Sequence, residues 1–130
     1  MIVADASVVV LALTDAGPRG EAAQRRLDLE EVVAPHLMDI EVAHALRGLV
    51  RGGGLPEPVA RAGLMALGRT PIRRLPHGPL LPRVWDLRDD ASAYDASYLA
   101  LAEKLAVPLL TADGRIARMP GLRCAVELIS

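Results

Sequence analysis

Two short apolar runs, IVAD at residues 2–5 and LLTAD at residues 109–113, each end on an aspartate. Neither run alternates apolar with polar residues. A near-continuous apolar run of this length suits a strand buried on both faces, and such strands belong to parallel sheets sandwiched between helices. That requirement constrains the chain more than any other feature. The remaining sequence alternates to match. Residues 6–13 read as a short apolar helix, and PRGEAAQRRLDL, residues 18–29, reads as a polar amphipathic helix with Pro near its start. Residues 31–34 read as a second strand. Pro35 opens a helix that runs to about Arg51 and stops at Gly52-Gly53-Gly54.

Another helix starts at Pro56 or Pro58 and ends near Gly68, followed by a strand at 72–75, a loop over LPHGPLLP at 75–82 and a helix at 80–87. In YDASYLALAEKL the residues Tyr94, Tyr98, Leu101, Ala102 and Leu105 recur at three- and four-residue steps, which predicts a helix. Ser92 and Asp95 have the spacing of a capping box at its start. Pro108 ends that helix, residues 107–110 form a strand, GRIARM is a short helix, and 123–129 is the last strand. Strands alternating with helices predict an α/β chain with a mostly parallel sheet covered on both faces. No linker or repeat divides it, so residues 1–130 are expected to form a single domain.

Several classes of function are disfavoured. No apolar run reaches the roughly 18 residues of a membrane span. The apolar start is interrupted by Asp5 and lacks a basic leader, so it is a poor signal peptide, and a cytoplasmic protein is expected. The single Cys124 allows neither an internal disulfide nor a cysteine metal site, and is expected to be a small buried residue of the last strand. His36, His44 and His77 are not spaced as a metal triad. With only Trp85, Tyr94 and Tyr98 as aromatic residues, stacking of bases is not expected to be the main binding device. The net charge of -1 does not suggest a nucleic-acid partner by itself. Yet all basic residues except Lys104 are Arg, the better fork for phosphate. If cations neutralised four of the acids, the balance would turn positive.

The aspartates raise the chemical question. Asp5 and Asp113 lie at the carboxyl ends of two expected parallel strands, where open α/β sheets bind ligands. If those strands are neighbours, both carboxylates reach one ion. Each is also an ordinary helix N-cap. Asp95 is either a capping-box acid or partly inward-facing, since it shares a helix side with Leu99, Ala102 and Ala106; an inward carboxylate needs a partner. At 100° steps, Met38, Val42, Ala45, Leu46, Leu49 and Val50 form an apolar arc of the third helix. Glu41, Arg47 and Arg51 fall on the other side, where Glu41 is either a solvated acid or the acid end of a stripe with the two arginines. Ser7, two residues after Asp5, can cap a helix or hold a metal-bound water. Four carboxylates without Cys or His suit hard cations such as Mg²⁺ or Mn²⁺. In-line phosphodiester hydrolysis uses such ions.

VADAS near the start, DIEVAHALRG in mid-chain and YDASYLALAEKLAVPLLTAD near the end together resemble the PIN (PilT N-terminal) domain ribonucleases, and more narrowly the VapC-type toxins of toxin–antitoxin pairs. The resemblance covers nearly the whole length. It implies a three-layer α/β/α sandwich with a five-stranded parallel sheet. It also implies that Asp5, Glu41, Asp95 and Asp113 are metal-binding catalytic acids, with Ser7 and Thr111 as supporting hydroxyls. A homodimer and a small VapB-like antitoxin, whose C-terminal segment blocks the acidic groove, are implied as partners. Arg47, Arg51 and Arg115 are the expected RNA contacts. The antitoxin's apolar residues are expected along the Val42, Leu46 and Leu49 side of the helix or along residues 58–67. Some relatives carry a further acid after the last Asp, where residues 114–117 offer none.

Three other functions remain open on the sequence. A housekeeping RNA-processing nuclease would share the site. An Asp-dependent phosphatase or phosphotransferase would use Asp5 as nucleophile, but position 7 is Ser and Lys104 lies in a solvent-facing stretch. A silent binding module would not need four acids.

Overall fold

The computed structural model describes residues 1–130. Five strands form one sheet in the order β3-β2-β1-β4-β5, with every neighbouring pair parallel. They are β1 (Ile2–Ala4), β2 (Val32–Pro35), β3 (Ile72–Leu75), β4 (Leu109–Thr111) and β5 (Val126–Leu128). Seven helices connect them: α1 (Ala6–Thr14), α2 (Pro18–Leu27), α3 (Met38–Arg51), α4 (Glu57–Leu67), α5 (Leu81–Asp86), α6 (Ala93–Leu105) and α7 (Gly114–Ala117). α1 packs against α2, α3 and α4, whereas α5 packs on α6 and α6 lies against β1, β2 and β4. This is the expected three-layer sandwich.

Strands β1, β2 and β4 are buried at every residue, as their unbroken apolar runs require. β5 is an edge strand and only partly buried. Strand order runs outward to β3 on one side of β1 and to β5 on the other. The reversal lies between β1 and β4, and a crevice opens at the carboxyl ends of strands where such a reversal occurs.

Several boundaries differ from the sequence reading. Pro35 is the last residue of β2 rather than the first of a helix, and α3 starts at Met38 after a turn. The fourth strand is displaced toward Thr111, because Ala106 and Pro108 lengthen the exit from α6. The last strand is shorter than 123–129, and Cys124 precedes it, half-buried. The expected loop at 75–82 holds the end of β3, a 3-10 turn at Gly78–Leu80 and the start of α5; Pro79 and Pro82 occupy first-turn positions, where no N–H is needed. Leu49 leaves the apolar arc and is exposed, while Val42 and Leu46 are buried.

Two features hold the site-bearing elements. Arg74 on β3 donates from Nη2 at 2.8 Å and from Nε at 3.2 Å to the Asp39 carboxylate, which ties the first turn of α3 to the sheet. At the far end of α6, Ala106 takes the left-handed conformation, φ 55° and ψ 45°, with its N–H bonded to Ala102 and Glu103 carbonyls. A side chain there costs about 1–2 kcal/mol that glycine avoids, against glycine's larger loss of freedom on folding. Ala106→Gly is expected to stabilise the protein by roughly 0.5–1 kcal/mol, a rise in Tm of about 2–4 °C by calorimetry.

Candidate active site

Asp5 follows the last residue of β1 and is 4% exposed. It is the N-cap of α1, accepting from the Val8 N–H at 3.2 Å, so its ordinary capping role is real. The same carboxylate accepts two further bonds: Ser7 Oγ donates to Oδ1 at 2.5 Å and Thr111 Oγ1 to Oδ2 at 2.5 Å. Ser7 Oγ also accepts from the Ala112 N–H at 3.0 Å, and Thr111 Oγ1 from the Asp113 N–H at 3.0 Å. Two hydroxyls thus join the ends of β1 and β4 and fix the Asp5 carboxylate between them. This works because β1 and β4 are neighbours, with Asp5 N–H donating to the Leu110 carbonyl.

Asp95 enters from the first turn of α6, one layer above the sheet. Ser92 caps that helix, accepting from the Asp95 N–H at 3.1 Å. Glu41 enters from the first turn of α3. Both carboxyls are pushed above their ordinary values by burial. The charges of Asp95 and Asp5 push Glu41 further, and that of Asp113 pushes Asp95. Burial likewise raises Asp5, offset in part by Ser7, Thr111 and the Val8 N–H, and the charge of Asp95 adds to the rise. Four acids from four parts of the chain therefore face the switch point and sense one another.

Asp113 differs from the other three. It caps α7, and Arg115 turns back on it, with Nη2 donating to Oδ2 at 2.7 Å and the backbone N–H to Oδ1 at 2.9 Å. These bonds hold its carboxyl below the usual range. The arrangement does not form a finished cage, because no three Asp, Glu, His or Cys side chains converge as ligands of one ion. The donor set itself fits a hard divalent cation: every group is a carboxylate, and burial raises three of them, with Arg115 beside Asp95 and His44 beside Glu41 offsetting their charge only in part.

Arg47 and Arg51 do not join Glu41. Six residues of helix turn Arg47 about 120° away from it. Both line a groove between α3 and α4 with Leu46, Val50, Arg61 and Leu64. Arg115 does lie beside the acids, lining a pocket with Asp95 and Ser92. One residue escaped the sequence reading. Tyr98, counted there as an apolar position, is fully buried, with its hydroxyl beside the Glu41 carboxyl. Burial and the Glu41 charge push its phenol far above the usual range. Its place one turn after Asp95 was the available signal.

An open parallel sheet with an acidic crevice at its switch point defines the class of domain. The PIN domain family model matches residues 2–122, and the chain belongs to that family. It is 47% identical over 130 residues to Ribonuclease VapC1 of Mycobacterium tuberculosis, covering 98% of this chain and 96% of the relative. Among solved structures it resembles Mycobacterium tuberculosis VapC20, a Sarcin-Ricin loop cleaving toxin, with a TM-score of 0.68 at 19% identity, covering 90% of this chain and 93% of that one. It also resembles a chain of a toxin-antitoxin complex from Klebsiella pneumoniae, with a TM-score of 0.67 at 15% identity, covering 100% and 98%. No helix is long and apolar enough to cross a membrane.

Proposed function

We propose that this chain is an endoribonuclease toxin of the VapC type, a hydrolase of RNA phosphodiester bonds restrained by a small antitoxin. The observation that carries the reading is the trio Asp5, Glu41 and Asp95. Their carboxyls are held at one sheet edge against burial and mutual repulsion. Capping of α1 accounts for Asp5 but not for Glu41 and Asp95 beside it, since buried like charges oppose their approach. The ribonuclease name of a relative 47% identical over nearly the full chain supports the same reading.

Mg²⁺ or Mn²⁺ would be held by these three carboxylates and by Asp113; when bound, the ion acidifies a water and offsets charge on the phosphate. Ser7 and Thr111 keep Asp5 in a single orientation. Asp113 joins the donors by giving up Arg115, and the guanidinium so released is placed to hold a phosphate oxygen. Arg115→Ala is expected to weaken binding of many RNA sequences alike and to lower the slope of log affinity against log salt by about 0.7, the value for one phosphate contact on a single strand. Fluorescence anisotropy across a salt series reads both effects; an unchanged slope assigns Arg115 to Asp113 alone.

The α3–α4 groove takes the antitoxin. Val42 and Leu46, expected on an exposed patch, are buried; Leu64 is the large apolar residue of the groove that reaches solvent, and Leu49, Val59 and Met65 are exposed elsewhere on α3 and α4. Arg47, Arg51 and Arg61 on the same rim suit acidic groups of the bound segment rather than the scissile phosphate. The deciding experiment expresses the chain alone and with the small protein encoded beside it, sequencing RNA ends in both cells. New ends and growth arrest are expected only without the partner. A chain harmless on its own, with no protein co-purifying, would make the housekeeping nuclease the better account.

A further inference from the structure

On the Glu41 side of the acids lies a cavity of about 530 Å³ that the reading above leaves unused. His36, Leu37, Ile40, Glu41, His44, His77 and Tyr94 line it. Its walls come from three places. His36 follows β2, and its N–H donates to the Leu75 carbonyl at 2.8 Å, which fastens the wall to the end of β3. His77 closes the far side, its carbonyl accepting from the Leu80 N–H at 2.9 Å. Tyr94 stands on α6 immediately before Asp95. The two imidazoles meet edge to face, 6.4 Å between centroids and 87° between planes.

The chemistry of the lining narrows the ligand. No Arg or Lys lines the cavity, so it does not select phosphate. Ile40 is 76% exposed and Tyr94 63%, large apolar surfaces left open to water at the rim of an acidic site. Flat rings and imidazole N–H groups are what an unstacked nucleobase uses: a face to stack on and edges to bond. The cavity volume lies in the range of small-ligand sites, about 300–1,000 Å³. We propose that this cavity is a nucleobase subsite, holding the unpaired base of a nucleotide next to the phosphate that Glu41 and Asp95 face. The proposal rests on the ribonuclease reading for its substrate class. The RNA strand then runs along the carboxyl edge of the sheet, with its phosphate at β1 and β4 and its base over β2 and β3.

The test separates this subsite from catalysis. Asp5→Asn protein is titrated with fluorescent single-stranded RNA homopolymers of about ten nucleotides, and with an abasic chain of the same length. At least one homopolymer should bind about 5- to 140-fold more tightly than the abasic chain, the range for one stacked base. Adding His36→Ala, His77→Ala or Tyr94→Ala should shrink that preference and leave abasic binding unchanged. All three side chains are exposed, so the variants should fold. In proteins that retain Asp5, the same changes should lower kcat/KM on RNA. A base preference that survives all three changes overturns the proposal, as does loss of antitoxin affinity with RNA binding unmoved. A wild type that binds bases in this way but cuts nothing would overturn the ribonuclease reading instead and leave the subsite standing.

Discussion

RNA cleavage by the purified protein is expected to disappear when Asp5 or Asp95 is replaced by Asn. The loss should exceed the roughly 10–100-fold that follows removal of a metal ligand's outer-shell partner, since these are the proposed ligands themselves. The change removes a charge and almost no volume, so the fold should persist. Stability should move the opposite way for Asp95→Asn. The Asp95 carboxyl is raised in the folded state by burial and by Asp113. A raised carboxyl favours folding below its unfolded value near 4, and that contribution is lost as pH rises through the folded value. At pH 7 and without metal, the ionised group therefore opposes folding, and Asp95→Asn should melt at or above the wild-type Tm. The difference should close as pH falls toward 4. A variant that is inactive only because it is unfolded would show the reverse.

Removing divalent metal should have an equally large effect. Excess chelator is expected to abolish cleavage, and Mg²⁺ or Mn²⁺ to restore it. The same ions should raise Tm, because they bind the folded arrangement of carboxylates and not the unfolded chain. At about a hundred times the dissociation constant the gain is about 2.7 kcal/mol, which is roughly 10 °C for a domain of this size. The shift should vanish in Asp5→Asn. It is read by differential scanning calorimetry without any RNA, so it tests the metal site independently of turnover. Full cleavage in excess chelator would remove the metal from the account.

The sheet was legible because its constraint is local. The apolar runs of IVAD and LLTAD suit doubly buried strands, and their strand residues, Ile2–Ala4 and Leu109–Thr111, are all buried. Asp5, Asp95 and Asp113 were legible for the same reason, each standing where an apolar element begins or ends. Other features depend on how elements pack. Arg47 and Arg51 share the polar half of α3 with Glu41, but the half is broad, and α4 covers one edge of it while the acids occupy the other. Val42, Leu46 and Leu49 share an apolar arc, yet α3 is buried only along the line that meets its neighbours, which leaves Leu49 in solvent. The bond from Arg115 to Asp113 is set by a tight turn into α7 that no periodicity reports. His36 and His77, 41 positions apart, meet only because β2 and β3 are adjacent and end together.

The most direct test of the central claim is the chemistry of the RNA ends. Purified wild-type protein and Asp5→Asn are incubated with RNA and Mg²⁺, and the products are read by mass spectrometry. Attack by a water at the acidic site predicts a linear terminal phosphate on one side of the cut and a free hydroxyl on the other, formed by the wild type and absent from Asp5→Asn. A 2′,3′-cyclic phosphate, which marks attack by the RNA's own 2′-hydroxyl, or the same ends from Asp5→Asn, would contradict the account.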